Sequence, residues 1–188
     1  MSMAIFAIAM ILIFSIYLTS QKFYQKTETS AEILQNSRVI LERITRELRQ
    51  TQDIITALPQ VPDNPSSPPV SEIEFQDGHI PSPYASLGSD YYYIRYYLSE
   101  DTKEVNREYK VYCFDDCSTC TTFFKWNDAQ TIEGVITPVH SCVLEDRTIG
   151  EFAVEIKFWG AGVINISLKL EKSNEQMSFQ TSVFGRNF

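Results

Sequence analysis

The sequence predicts an α+β chain in which a long N-terminal helix lies across an antiparallel meander sheet, and three observations carry that prediction. Residues 1–58 contain neither glycine nor proline, so nothing in them breaks a helix. Five prolines then crowd into PQVPDNPSSPP (59–69). Beyond them the apolar period switches from helical to two, the mark of strands with one buried face.

The helix divides into two halves. Met3 to Leu18 (MAIFAIAMILIFSIYL) is uncharged and apolar on every face, which suits a membrane better than the core of one small domain. Its 16 residues fall a little short of the roughly 20 that cross a bilayer. It lacks the basic residues before it and the small-residue cleavage site after it that a secretory signal requires. From Lys22 the stretch turns amphipathic. Leu34, Leu41, Leu48 and Ile55 recur every seven residues, Ile44 sits between, and Ile33 and Ile40 widen the stripe. Glu42 with Arg46, and Arg43 with Glu47, pair at i,i+4 on the opposite face. Ser37 and Thr51 at the remaining d-type positions disfavour a pure coiled coil. The stripe is therefore expected to pack mainly on the chain's own sheet, with part of it meeting neighbouring stalks. The helix is expected to run to Pro59, about 85 Å from its start.

After the proline-rich stretch, Ile73 and Phe75 alternate with glutamates in SEIEF. Tyr91 to Leu98 (YYYIRYYL) puts Tyr92, Ile94, Tyr96 and Leu98 on one face and Tyr91, Tyr93, Arg95 and Tyr97 on the other. Tyr109, Val111 and Cys113 alternate next, so 91–98 and 106–114 form a hairpin through SEDTKEVN. Phe152, Val154, Ile156 and Phe158 make the following inward set, Gly160-Ala-Gly162 turns the chain, and Ile164, Ile166, Leu168 and Leu170 answer it. A last strand spans 176–184. The expected organisation is a membrane half-helix (1–20), an amphipathic half (21–58), a linker (59–70) and an antiparallel β head (71–188).

Charge and composition narrow the function. The net charge is −8, and the residues after 58 alone carry −9. An acidic head argues against nucleic acid, whose footprint is a basic patch. The chain holds no G-x-S-x-G, P-loop, H-E-x-x-H or dinucleotide fingerprint, so no catalytic residue and no cofactor is expected. Its two histidines, His79 and His140, fall in loop-like stretches. Cys113, Cys117, Cys120 and Cys142 are spaced C-x3-C-x2-C-x21-C. An even count in an exported head favours two disulfides of open connectivity. A four-thiolate zinc site is the alternative, weakened by the absence of a second C-x2-C. Asp115 and Asp116 read as a solvated turn, and Asn165-Ile-Ser167 as a chance glycosylation pattern in a strand. The tyrosines of the odd face, Tyr91, Tyr93 and Tyr97, mark either an interface or a surface under a second layer.

On MAIFAIAMILIFSIY and AEILQNSRVILERITRELRQTQDI (31–54), the chain resembles the type IV pilin-like proteins, in particular the minor pilins and the minor pseudopilins of type II secretion systems. The resemblance implies a non-enzymatic subunit that is single-pass in the bacterial cytoplasmic membrane with its head outside, and that joins a surface filament on assembly. Ile5, Phe6, Ile8, Ile11, Leu12 and Phe14 would contact other subunits in the membrane, and Leu34, Leu41, Ile44, Leu48 and Ile55 would pack the stalk. Recognition would fall to loops 76–90 and 114–150. Family members begin with a basic leader, a glycine at the cleavage site and an early glutamate. This sequence starts at what corresponds to the middle of that segment, and prepilin peptidase is an expected partner if a leader precedes Met1. The alternative is a membrane-tethered extracytoplasmic ligand-binding or sensor domain with the stalk as spacer.

Overall fold

In the computed structural model, residues 2–62, 64–78, 91–132 and 134–185 are described, with side chains from residue 10 onward except that of residue 132. Helix α1 (Ser2–Leu48) runs unbroken for 47 residues, about 70 Å. From residue 10 to residue 28 every side chain is exposed. Beyond that, one face sinks into the head: Ile33, Ile40, Ile44 and Leu48 are wholly buried, and Ser37 nearly so.

That seam corrects the seven-residue stripe. Leu34 is 51% exposed, and Leu41 and Ile55 are only half-buried. A single helix lying on a sheet keeps its own period of 3.6 instead of the 3.5 of a supercoil, so the buried face drifts off the heptad. Ser37 fits the seam because its hydroxyl donates to the Leu34 carbonyl at 2.8 Å, which satisfies its polar atom inside the helix. Gly150 faces Ile40 so closely that a Cβ there would overlap the isoleucine side chain. Of the expected surface pairs, Arg43–Glu47 forms at 3.7 Å, while Glu42 turns back to Arg38 at 3.9 Å. Replacing Ile40 with valine should cost about 1 kcal/mol of stability in urea unfolding, whereas Leu34→Ala should change it by less than about 0.5 kcal/mol. Equal losses at the two positions would restore the heptad stripe.

The helix ends at Leu48, eleven residues before Pro59. Thr51, Ile54, Ile55 and Thr56 are β-branched and favour extended backbone. The chain takes that option: β1 (Asp53–Ile54) pairs antiparallel with β2 (Glu72–Gln76), Asp53 opposite Gln76. Buried Thr51 locks the turn by donating to the Gln76 carbonyl at 2.7 Å.

Five antiparallel strands follow the order β1-β2-β3-β4-β7, with β3 (Tyr93–Ser99), β4 (Glu104–Cys113) and β7 (His140–Gly150). The expected tyrosine hairpin is present as β3–β4, with Leu98 opposite Val105. A second sheet has the order β8-β9-β10, from β8 (Ala153–Trp159), β9 (Val163–Lys172) and β10 (Glu175–Phe184). Phe152 does not belong to the inward set: it is a left-handed residue (φ 66°) before β8, and a register shift between Ala153 and Glu155 displaces Val154. The buried set is Ala153, Ile156 and Phe158. A bulge is invisible to a period-two count because it changes the parity of everything before it. The 114–150 stretch, expected as loop, contains β5 (Ala129–Ile132) and β6 (Val135–Pro138), paired only with each other, and then β7. Gly160 turns β8 into β9 at φ 122°, where any Cβ would collide with the Val163 carbonyl. The linker stitches the second sheet to the first, with Gly160 N–H donating to Pro59 O at 2.7 Å and a Val70–Phe158 bridge beyond. One continuous core joins α1 and both sheets.

Candidate functional site

Two surfaces bear on function: the free half of α1 and the groove where its second half meets β10. From Met10 to Leu18 nine consecutive residues are exposed, with Ile11 at 68% and Phe14 at 63%, so the helix is apolar around its whole circumference and the head covers none of it. Ile5, Phe6 and Ile8 lie outside the described side chains. Among the described residues no helix is long and apolar enough to cross a membrane.

At its other end α1 is clasped to the head by charge. Arg107 Nε donates to both Glu47 oxygens, at 2.9 and 3.2 Å, and the Tyr96 hydroxyl donates to Glu47 Oε2 at 2.6 Å. Burial alone would depress the Arg107 pKa, but the Glu47 carboxylate more than offsets it and the guanidinium is held above its ordinary value. Ile44 and Leu48, on the same stretch of helix as Glu47, are wholly buried. A glutamate in the last turn of a helix opposes the macrodipole, a signal that it serves something outside the helix.

The far face of the first sheet does not present the tyrosines as one patch. Tyr93 is buried, edge-to-face with Tyr112 at 5.1 Å, and its hydroxyl accepts the Trp126 N–H at 3.1 Å. Tyr91 is half-buried with the Lys125 ammonium 5.6 Å from its ring. Tyr97 is half-buried beneath Arg95, 4.7 Å from its ring, and donates to Asp146 at 3.1 Å. A second layer, the 114–128 loop, therefore covers the Tyr91–Tyr93 end of this face. Along the face Lys110 and Glu74 pair at 2.5 Å, Tyr112 donates to Glu74 at 2.6 Å, and half-exposed Arg95 bridges Glu72 and Glu108.

Burial pushes the Tyr93 pKa up to about 12, against a smaller opposing pull from the Trp126 hydrogen bond. Burial and then Glu74 drive Tyr112 further up, and burial and then Glu47 do the same for Tyr96. Each phenol binds its proton more tightly folded than unfolded. Their contribution is thus complete below the unfolded value near 10 and is lost as pH rises toward 12 and beyond. Unfolding midpoints should be flat from pH 8 to about 10 and fall steeply above it. Unfolding midpoints that stay level well above pH 10 would contradict this.

The cysteines form two disulfides, Cys113–Cys120 and Cys117–Cys142, with Cα separations of 6.2 and 5.4 Å. Among the described residues the single group with metal-ligand spacing is Cys117, His140 and Cys142, and two of its sulfurs are bonded to each other. A thiolate zinc site needs those sulfurs free. His140, Asp115 and Asp116 are exposed, His79 lies outside the described residues, and Asn165 sits within β9, where its side chain accepts from Ser182 at 2.7 Å. Of the two expected recognition loops, 79–90 lies outside the described residues, and 114–150 supplies the roof and an exposed β5–β6 hairpin with Val135 and Ile136 at its tip.

The groove between α1 and β10 encloses about 1020 Å³ and is walled by Leu34, Val39, Leu41 and Thr45 on the helix and Phe179 and Thr181 on the strand. Leu34 and Val39 are about half exposed within it. The helix residues left off the core seam thus line a cleft. Glu47, Arg107 and the groove were missed by a reading that scored charges only against their own helix. Compared with known proteins, the chain matches no protein-family model, no curated protein and no solved structure.

Proposed function

We propose that the chain is a non-enzymatic minor pilin or pseudopilin subunit, which holds its apolar half-helix in the bacterial cytoplasmic membrane and then packs it among the helices of other subunits. One observation carries the reading: a single 47-residue helix has its second half sealed onto the head, while Met10–Leu18 in its first half is apolar and exposed on all sides. Burying such a surface in lipid or among other helices is favourable at roughly 25 cal/mol per Å². A simple tether needs no rigid continuation into the head, whereas a helix fixed to its head transmits the head's position to a packed assembly. The clasp at Glu47 and the seam from Ile33 to Leu48 provide that rigidity. The disulfide-bonded head suits an oxidising compartment outside the membrane.

The test is a photo-crosslinker placed at Phe14 in the chain's own cell. The expected adducts are with membrane helices of other filament subunits, and the native N-terminus, read by mass spectrometry in the same membranes, should be a processed, N-methylated end. Adducts with lipid alone, together with an unprocessed N-terminus, would move the assignment to a tethered extracytoplasmic binding domain.

A further inference from the structure

The β edges of this head are treated unequally. β1 is a two-residue edge. The outer edge of β8 is covered by the linker through the Val70–Phe158 bridge and the Pro59–Gly160 bond. β7 carries Glu145, Asp146 and Arg147, and its pairing with β4 is broken by two register shifts. Charge, bulges, shortness and cover are the usual means of keeping an edge from pairing with another chain. β10 has none of them. It is ten residues long, pairs with β9 in an unbroken register, and carries its one charge at Glu175, with neither proline nor lysine nor arginine.

Its hydrogen-bonding side follows from the turn that starts it. Ser173 and Asn174 both have positive φ, 50° and 66°, the two-residue type I′ hairpin, so Lys172 and Glu175 form the first hydrogen-bonded pair. Counting by twos, Glu175, Met177, Phe179, Thr181 and Val183 direct their main chain at β9. Gln176, Ser178, Gln180, Ser182 and Phe184 direct theirs outward. Among the described residues no hydrogen bond is made to that outward main chain. Beside it lies the α1–β10 groove, whose apolar surface comes from half-exposed Leu34 and Val39 with Leu41 and Phe179, and whose charged lining residues Arg38 and Glu42 pair with each other.

We propose that the free edge of β10 receives an extended strand of a different polypeptide, antiparallel to β10, uncharged along the stretch facing Gln176–Phe184 and apolar at the alternate positions that enter the α1–β10 groove. A row of alternating main-chain donors and acceptors is complementary to another extended backbone. The neutrality of this edge in a head of charge −9 selects an uncharged strand. A second copy is the lesser fit. β10 runs in the same sense as α1, since Glu175 pairs with Lys26 at 3.2 Å while Phe179 and Thr181 face Leu34 to Thr45. Antiparallel β10–β10 pairing would set the two α1 helices in opposite directions, which one membrane forbids. That choice of occupant rests on the proposed membrane-anchored function; the open edge does not.

The probe is a fluorescent, amidated peptide of residues 176–184 (QMSFQTSVF), itself uncharged and alternating, added to the full chain in detergent micelles. Binding should saturate, amide exchange should slow at Gln176, Ser178, Gln180, Ser182 and Phe184, and Ser178→Pro or Gln180→Lys should weaken it at least tenfold. Ser178→Pro deletes an outward N–H without touching the β9 ladder, and Gln180→Lys decides if that variant fails to fold. No saturation, or equal affinity in a folded variant, would overturn the edge as a docking strand. A chain that is already dimeric in detergent and becomes monomeric on Gln180→Lys would overturn the different-polypeptide occupant in favour of a second copy. Neither result depends on how the apolar half-helix is anchored.

Discussion

Glu47→Ala should destabilise the head by about 3–5 kcal/mol, the usual range for stripping one partner from a buried ion pair. Arg107 is 10% exposed and Glu47 14%, so neither charge is compensated by water when its partner goes. The Tyr96 hydroxyl would lose its acceptor at the same stroke. The effect should be conditional on Arg107. If most of the loss is an orphaned guanidinium, Glu47→Ala with Arg107→Ala will cost much less than the sum of the two single changes. Glu47→Gln should fall between, because an amide oxygen still accepts from Arg107 and Tyr96 without the charge. Denaturant unfolding of the four variants measures this, and additive losses would show that the clasp is not an interacting pair. Glu47 is the last acidic residue of α1. Under the proposed subunit role, a chain that folds with this clasp broken should assemble less well than the unaltered chain.

The parts of the fold that were legible in the sequence are those governed by local pattern. The unbroken helix from residue 2, the strands at 72–76, 93–99 and 163–172, and the Gly160–Gly162 turn follow from breakers and alternation. What escaped was decided by partners far away in sequence. Thr51 ends the helix because Gln76 offers it an acceptor and β2 offers a ladder. Nothing between Leu48 and Pro59 forbids helix, so propensity alone ran past the boundary. The Leu34 heptad had two owners: Leu34 and Leu41 line a groove, while Leu48 joined Ile33, Ile40 and Ile44 of the same stripe in the core. Tyr93 could not be assigned to interface or interior from alternation, since the roof above it is a loop positioned by a disulfide. The exposed apolar run Met10–Leu18 was readable directly, because uniform apolarity has no period to misjudge.

Removing the Cys117–Cys142 bridge by Cys117→Ser with Cys142→Ser should cost about 3–4 kcal/mol, from the loop entropy restored to the unfolded chain. The bridge spans a separation of 25 residues, and Cys113–Cys120 spans 7, so the second should contribute less, about 2.5 kcal/mol. Besides the bridges, the loop is tied to the first sheet by the Phe124 N–H donating to the Tyr112 carbonyl at 2.9 Å and the Trp126 N–H donating to the Tyr93 hydroxyl at 3.1 Å. Residues 115–119 are exposed, and its apolar anchors are Phe123, edge-to-face with Tyr92 at 5.4 Å, and the Phe124–Phe114 contact at 4.6 Å. Reduction should therefore act locally first. Amides of 114–128 should lose exchange protection and Trp126 fluorescence should shift to the red, while the Glu47–Arg107 clasp keeps its protection. With the roof gone Tyr93 meets water, its hydroxyl loses the Trp126 donor, and its pKa should return toward 10. That links the two readouts: the alkaline transition of the reduced chain should begin at lower pH than that of the oxidised chain. An unchanged urea midpoint on full reduction would mean that the 114–128 loop packs well enough without its bridges, and the case for a head built for an oxidising compartment would lose its main physical support.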